Sequence, residues 1–150
     1  MRDKTSLSRF LEAQDRNGIF QQALSELRVG RKTSHWIWYV FPQIAGLGMS
    51  DISVFYSIAN LDEARSYLKH PVLGQRLHEA AEALLNCGKT NAADILGNLD
   101  ALKVWSSMTL FLQAVPDDKV FKAVLDKFYG GEPDRKTLAI LAGQDSVPIR

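Results

Sequence analysis

Ser34-His35-Trp36-Ile37-Trp38-Tyr39-Val40-Phe41-Pro42-Gln43-Ile44-Ala45-Gly46-Leu47-Gly48-Met49-Ser50 is the stretch on which the choice between an all-helical and a mixed fold turns. Its aromatic and β-branched residues favour a strand, in which Trp36 and Trp38 share a face because alternate side chains point the same way. Ser34 as an N-cap and Pro42 as a stop favour a short helix, in which His35, Trp38 and Tyr39 share a face instead. Local rules leave both open. Just behind, Gly46 and Gly48 flank Leu47, which makes either a plain tight loop or a place where backbone amides come close to a partner.

On both sides of this stretch the pattern is helical. Upstream, residues 8–14 carry Phe10, Leu11 and Gln14 near one face, and Asn17-Gly18 interrupts them. Residues 19–28 repeat Ile19, Phe20, Ala23, Leu24 and Leu27 at helical spacing, with Gly30 placed to end the helix. Downstream, Ala64, Tyr67 and Leu68 mark a short helix stopped by Pro71. Leu73, Leu77, Ala80, Ala81, Leu84 and Leu85 mark a longer one over residues 73–86. Asn91 with Asp94 reads as a capping pair for a brief turn ending at Gly97.

Asp100 reads as the cap of a helix over residues 101–114. Its two apolar stripes, Leu102-Trp105-Leu112 and Val104-Met108-Phe111-Val115, predict a largely buried element with Trp105, Met108 and Phe111 inside. Asp117 and Asp118 open another helix with Val120, Phe121, Val124, Leu125 and Phe128 inward, and Gly130-Gly131 stops it. Asp134 starts a last helix through Leu138, Ile140 and Leu141. With no linker, repeat or low-complexity tract, residues 1–150 form a single domain with an ordered core at about 7–142 and a loose tail over 143–150.

Composition narrows the function classes. At 150 residues and 46% apolar content, the chain can bury about 70% of its unfolded surface as one domain. Cys87 is the only cysteine, so no intrachain disulfide forms and a reducing cytoplasm is expected; a structural role suits that thiol better than a reactive one. Residues 1–6 lack the apolar region of a secretory signal, and the longest apolar run, residues 36–41, is far short of the roughly 20 that span a bilayer. No membrane partner is expected. Eighteen basic against seventeen acidic residues, interspersed, argue against nucleic acid as a partner. The basic stretch Arg28-Val29-Gly30-Arg31-Lys32 is either a solvated helix exit or a phosphate holder.

Candidate site residues come from two segments. Past the apolar stripes, the helix after Asp100 offers Lys103, Ser106, Ser107 and Leu110 together: one cation and two hydroxyls, suited to a phosphate or a ribose. The competing account is that small serines let a neighbouring helix pack closely while Lys103 snorkels. In the aromatic segment, His35 is the candidate acid or base near neutral pH. Trp36 and Trp38 offer stacking faces, Lys32 a charge for a phosphate, and Gln43 a partner for sugar hydroxyls; the alternative for the indoles is the core. His70 and His78 show no metal-ligand spacing, so neither a metal nor a cofactor is expected. There is no Walker loop, nucleophile elbow or Rossmann fingerprint.

The run from Gly30 to Gln43, continued by Gly46-Leu47-Gly48-Met49-Ser50, resembles the core motif of a bacterial family catalogued as domain of unknown function 1810, sometimes labelled calpastatin-like. Phe10 with Ala13-Gln14, His70-Pro71 with Leu73-Gly74, Asp100 with Lys103, and Ser106-Ser107-Met108-Thr109-Leu110-Phe111 resemble it too. The resemblance covers residues 7–141. It implies an all-α fold: a compact bundle of about six to eight short helices around a central buried helix near 101–114. The calpastatin label is set aside, because an inhibitor of that type is expected to be disordered and polar. The order Asp100, Lys103, Met108 and Lys127-Phe128 is also similar to the C-terminal half of NADAR domains, small helical proteins associated with ADP-ribose derivatives and N-glycosidic bond cleavage.

Two functions of different classes follow. In the first, His35, Trp36 or Trp38, Gln43, Lys103 and Ser107 line one cleft that binds or hydrolyses a nucleotide-like or ADP-ribose-like small molecule. In the second, the Trp-rich segment and the Gly46-Leu47-Gly48 loop form an exposed patch for a protein partner. Oligomeric state is not legible.

Overall fold

The computed structural model describes residues 6–145. Their helices are α1 (Ser8–Asp15), α2 (Ile19–Val29), α3 (Ile37–Val40), α4 (Asp51–Phe55), α5 (Leu61–Lys69), α6 (Leu73–Leu85), α7 (Ala92–Leu96), α8 (Asn98–Ala114), α9 (Lys119–Tyr129) and α10 (Arg135–Asp145), with a 3-10 turn at Arg16–Gly18 joining α1 to α2. The fold is all-α. Its helices outnumber the expected six to eight because the aromatic segment forms one turn of its own and α4 arises where sequence reading placed no element. No described helix is long and apolar enough to cross a membrane.

The ambiguous stretch is helix, then loop. Its only β feature is an isolated parallel bridge between Ile44 and Ile58, in which Ala45 N–H donates to Ile58 O and Ile58 N–H to Gln43 O, each at 2.8 Å. Ser34 is not the N-cap of α3. Trp36 holds that position without a side-chain cap, and the Ser34 hydroxyl donates instead to Glu26 Oε2 at 2.6 Å.

α8 is the central helix, packed against α3, α5, α7, α9 and α10. Val104, Met108 and Phe111 are fully enclosed. Three expectations change here. α8 begins at Asn98, so Asp100 lies inside its first turn rather than at its cap. Trp105 is only half-buried and stacks on Tyr129 with centroids 5.8 Å apart. The outward residues are Leu99 and Leu102, 72% and 53% exposed, while Ser106 and Ser107 point inward. Inward serine is tolerable because Ser106 Oγ lies 3.1 Å from Leu102 O, one turn back, so its hydroxyl need not remain unpaired.

Close packing explains a glycine at the α5–α6 corner, where a Cβ on Gly74 would run into the Leu68 carbonyl. At the other end of the chain α10 continues to Asp145, past the expected limit of 142, and residues 146–150 of the expected tail lie outside the described residues.

Candidate functional site

The site grows from a carboxylate that sequence reading passed over. Glu26, on α2, collects the loop that follows: Oε1 accepts from Thr33 N–H at 2.9 Å, Ser34 N–H at 3.1 Å and Trp36 Nε1–H at 2.9 Å, and Oε2 accepts the Ser34 hydroxyl. Burial alone would raise its pKa, but the hydrogen bonds from Ser34, Trp36 and the two backbone amides outweigh burial and hold it down at about 2. This fixes Trp36 in the core and brings Lys32 toward α8.

Two lysine-on-indole pairs then meet at one aspartate. Lys32 Nζ lies 5.0 Å from the Trp36 ring centroid, donates to Ser34 O at 2.6 Å and pairs with Asp100 Oδ2 at 2.7 Å. Lys103 Nζ lies 4.5 Å from the Trp38 ring and 3.1 Å from Asp100 Oδ1. Burial raises the Asp100 pKa, yet its bonds to the two ammonium groups more than reverse that and leave it below the usual carboxylate range.

Beside the second pair opens a cleft of about 340 Å³. One wall is Trp38, Gln43, Leu47 and Gly48; the other is α8, from its outward Leu99 and Leu102 to the half-buried Trp105 and the inward Ser106; Asp134 and Lys136 close it at the start of α10. Asp134 is buried and is the sole carboxylate among the described lining residues. Its Oδ2 accepts hydroxyls from Ser106 and Thr137, both at 2.7 Å, and its Oδ1 accepts Lys136 N–H at 3.2 Å. Ser106 has one proton for two acceptors, Asp134 Oδ2 and Leu102 O. It therefore cannot satisfy both at once.

Both loop glycines have local reasons. Gly46 has φ +105, a conformation that side chains resist, and a Cβ on Gly48 would fall 2.6 Å from Ser53 Oγ.

Of the residues chosen from sequence, Trp38, Gln43, Lys103 and Ser106 come together in the cleft. His35, Trp36, Lys32 and Ser107 do not line it. His35 is exposed elsewhere on the loop. Trp36 is enclosed, so no ligand can stack on it, and Lys32 is 7% exposed with its ammonium already committed to Asp100 and Ser34. Ser107 is sealed in the helix packing with its hydroxyl unpartnered among the described residues. Sequence reading missed Asp134, Trp105 and Lys136. Asp134 reads locally as a helix starter, which it is; two residues of α8, far off in sequence, hold it at the cleft, Ser106 by donating to its Oδ2 and Thr109 Oγ1 by accepting its N–H at 2.9 Å. The described residues hold no cluster of three or more potential metal ligands.

A family model described as "Protein of unknown function (DUF1810)" matches residues 4–141, and the chain belongs to that family. The fold is similar to the crystal structure of the conserved hypothetical protein Rv1873 from Mycobacterium tuberculosis, with a TM-score of 0.89 and 45% sequence identity over 93% of this chain and 99% of that one. No curated protein matches the chain.

Proposed function

We propose, starting from a family that brings a fold and no activity, that the cleft beside Trp38 binds a nucleotide-like small molecule. The observation that supports this most is Asp134: a buried carboxylate at the edge of a cleft walled by indoles and leucines. Apolar walls with a few placed polar groups are the usual make-up of small-molecule sites, and about 340 Å³ falls within their common range of about 300–1,000 Å³. In this reading a planar ring lies against Trp38, sugar hydroxyls meet Gln43 and Asp134, and Lys103 and Lys136 face the anionic end.

Binding has more support than N-glycosidic hydrolysis. Asp134 could stabilise positive charge at an anomeric carbon, but His35, the expected proton carrier, is not among the lining residues. The test is a thermal-shift panel of nucleotides, ADP-ribose and nicotinamide compounds, followed by chromatography of the mixtures for cleavage products. Ligand at 100 times its dissociation constant should add about 2.7 kcal/mol of stability. Binding should be lost in Trp38→Ala.

A second reading rests on one observation, the exposure of Leu99 and Leu102 at the rim with Met49 nearby in sequence to the loop wall. It makes this face a contact for a protein partner. If no compound in the panel binds, and Leu102→Glu abolishes a self-association seen by sedimentation, that reading replaces the first. A cytoplasmic setting and weak or absent nucleic acid binding belong to the same proposal, from the lone half-buried Cys87 and the balanced charge.

A further inference from the structure

Asp100 has two ammonium partners where one would neutralise it. Two cations and one anion leave the group with an excess positive charge, in a place where desolvation makes charge imbalance expensive. Glu26 does not correct it. Its oxygens are taken by four neutral donors, and among the described residues it makes no ion pair with either lysine.

The two lysines are not equivalent. Lys32 is 7% exposed, bonded to Ser34 O and set against the enclosed Trp36. Lys103 is 26% exposed and is the one that lines the cleft. Lys103 can therefore leave Asp100 without stranding a buried charge, because Asp100 keeps Lys32. It also stands over the Trp38 ring, on the surface that a stacking ligand would use.

Resting on the proposal of a nucleotide-like ligand, we infer that the site selects compounds joining a planar ring to a phosphate ester, and that Lys103 is the exchangeable counterion that selects them. The phosphate draws the Lys103 ammonium from Asp100, and the ring takes the position vacated over Trp38. The bound state then holds Lys103 with phosphate and Lys32 with Asp100, with no cation in excess. An uncharged nucleoside offers nothing for the displaced ammonium and must compete with it for the indole.

The experiment compares adenosine 5′-monophosphate with adenosine by calorimetry on the full chain, with lysine ε-methylene resonances followed by NMR. The monophosphate should bind about tenfold or more tightly, as expected for one charge-assisted contact, and Lys103→Met should bring the ratio near one. The Lys103 ε-methylene signal, shifted upfield by the indole, should return toward the position of an unstacked lysine as the monophosphate saturates. Equal affinities in the unmodified protein, or a Lys103 signal that stays upfield at saturation, would overturn the inference while leaving the nucleotide site standing. If neither compound binds, site and inference fall together. Should the Met variant fail to fold, the NMR titration of the unmodified protein decides.

Discussion

Trp36 and Trp38 stand two residues apart, each with a lysine ammonium at its ring and both lysines on Asp100, yet one indole is enclosed and the other borders a cleft. The partner of the indole N–H marks the difference. Trp36 gives its proton to Glu26, so the whole ring can enter the core with no donor left unpaired. The same residue type with the same cation thus sits in the core in one place and lines a cleft in the other. Burial follows from hydrogen-bond closure as much as from hydrophobicity.

The largest effect expected from this contrast is on stability. Trp36→Ala should cost about 3–5 kcal/mol in denaturant unfolding, on the scale set by Phe111→Ala at the centre of α8, whereas Trp38→Ala should cost about 1 kcal/mol or less and act on ligand binding. Equal losses for the two tryptophans would break the comparison. Next comes Glu26→Gln, expected to cost about 1–3 kcal/mol by leaving donors around Trp36 poorly matched.

Acid titration sharpens the same point. With its folded pKa depressed to about 2, Glu26 contributes stability that is fully present above its unfolded pKa, about 4.3, and is lost as pH falls toward the folded value. Melting temperature measured down through that window should fall less steeply in Glu26→Gln than in the unmodified protein.

The smallest effect serves as a baseline outside both regions. His78 Nε2 meets Asp118 Oδ2 at 2.5 Å, and its ring stacks on Phe121. Burial lowers its pKa, but the bonds to Asp118 and the Gly74 carbonyl raise it overall. Its contribution is therefore complete below the unfolded value, about 6.5, and declines as pH rises through the elevated folded value. His78→Asn should remove that alkaline-side decline and leave in place the acid-side loss, to which Glu26 and Asp100 both contribute. A decline that persists in the variant would assign it to another group.

Apolar periodicity made α2, α5, α6, α8 and α9 legible, since each buries a stripe that repeats at helical spacing. Asn91 was readable as a cap because its side chain serves neighbours two and three residues on. The site was half readable. Trp38, Gln43, Lys103 and Ser106 stood out as chemically unusual for their local roles. Glu26 did not, because a glutamate on an amphipathic helix is ordinarily solvated, and its donors arrive only when the following loop folds back. The inward turn of Ser106 and Ser107 was illegible for a related reason. Polar patterning assumes a hydroxyl seeks water, while Ser106 finds acceptors in its own helix and in Asp134.

The two hydrogen bonds between Ile58 and the Gln43–Ala45 segment close an excursion of chain that departs and returns at nearly one point. Arg9, on α1, secures the returning end by donating to Phe55 O and Ser57 O, both at 2.8 Å. The segment between, including the Leu47–Gly48 wall of the cleft, is held by those fastenings and by Leu47, Phe55 and Tyr56 packed on the core. Closure entropy grows only logarithmically with loop length, so doubling such an excursion costs about 0.6 kcal/mol. Insertions and deletions there can reshape one wall of the cleft while the helices beneath remain as they are, which makes this loop the natural place for lineages, or a designer, to alter the cleft without rebuilding the protein.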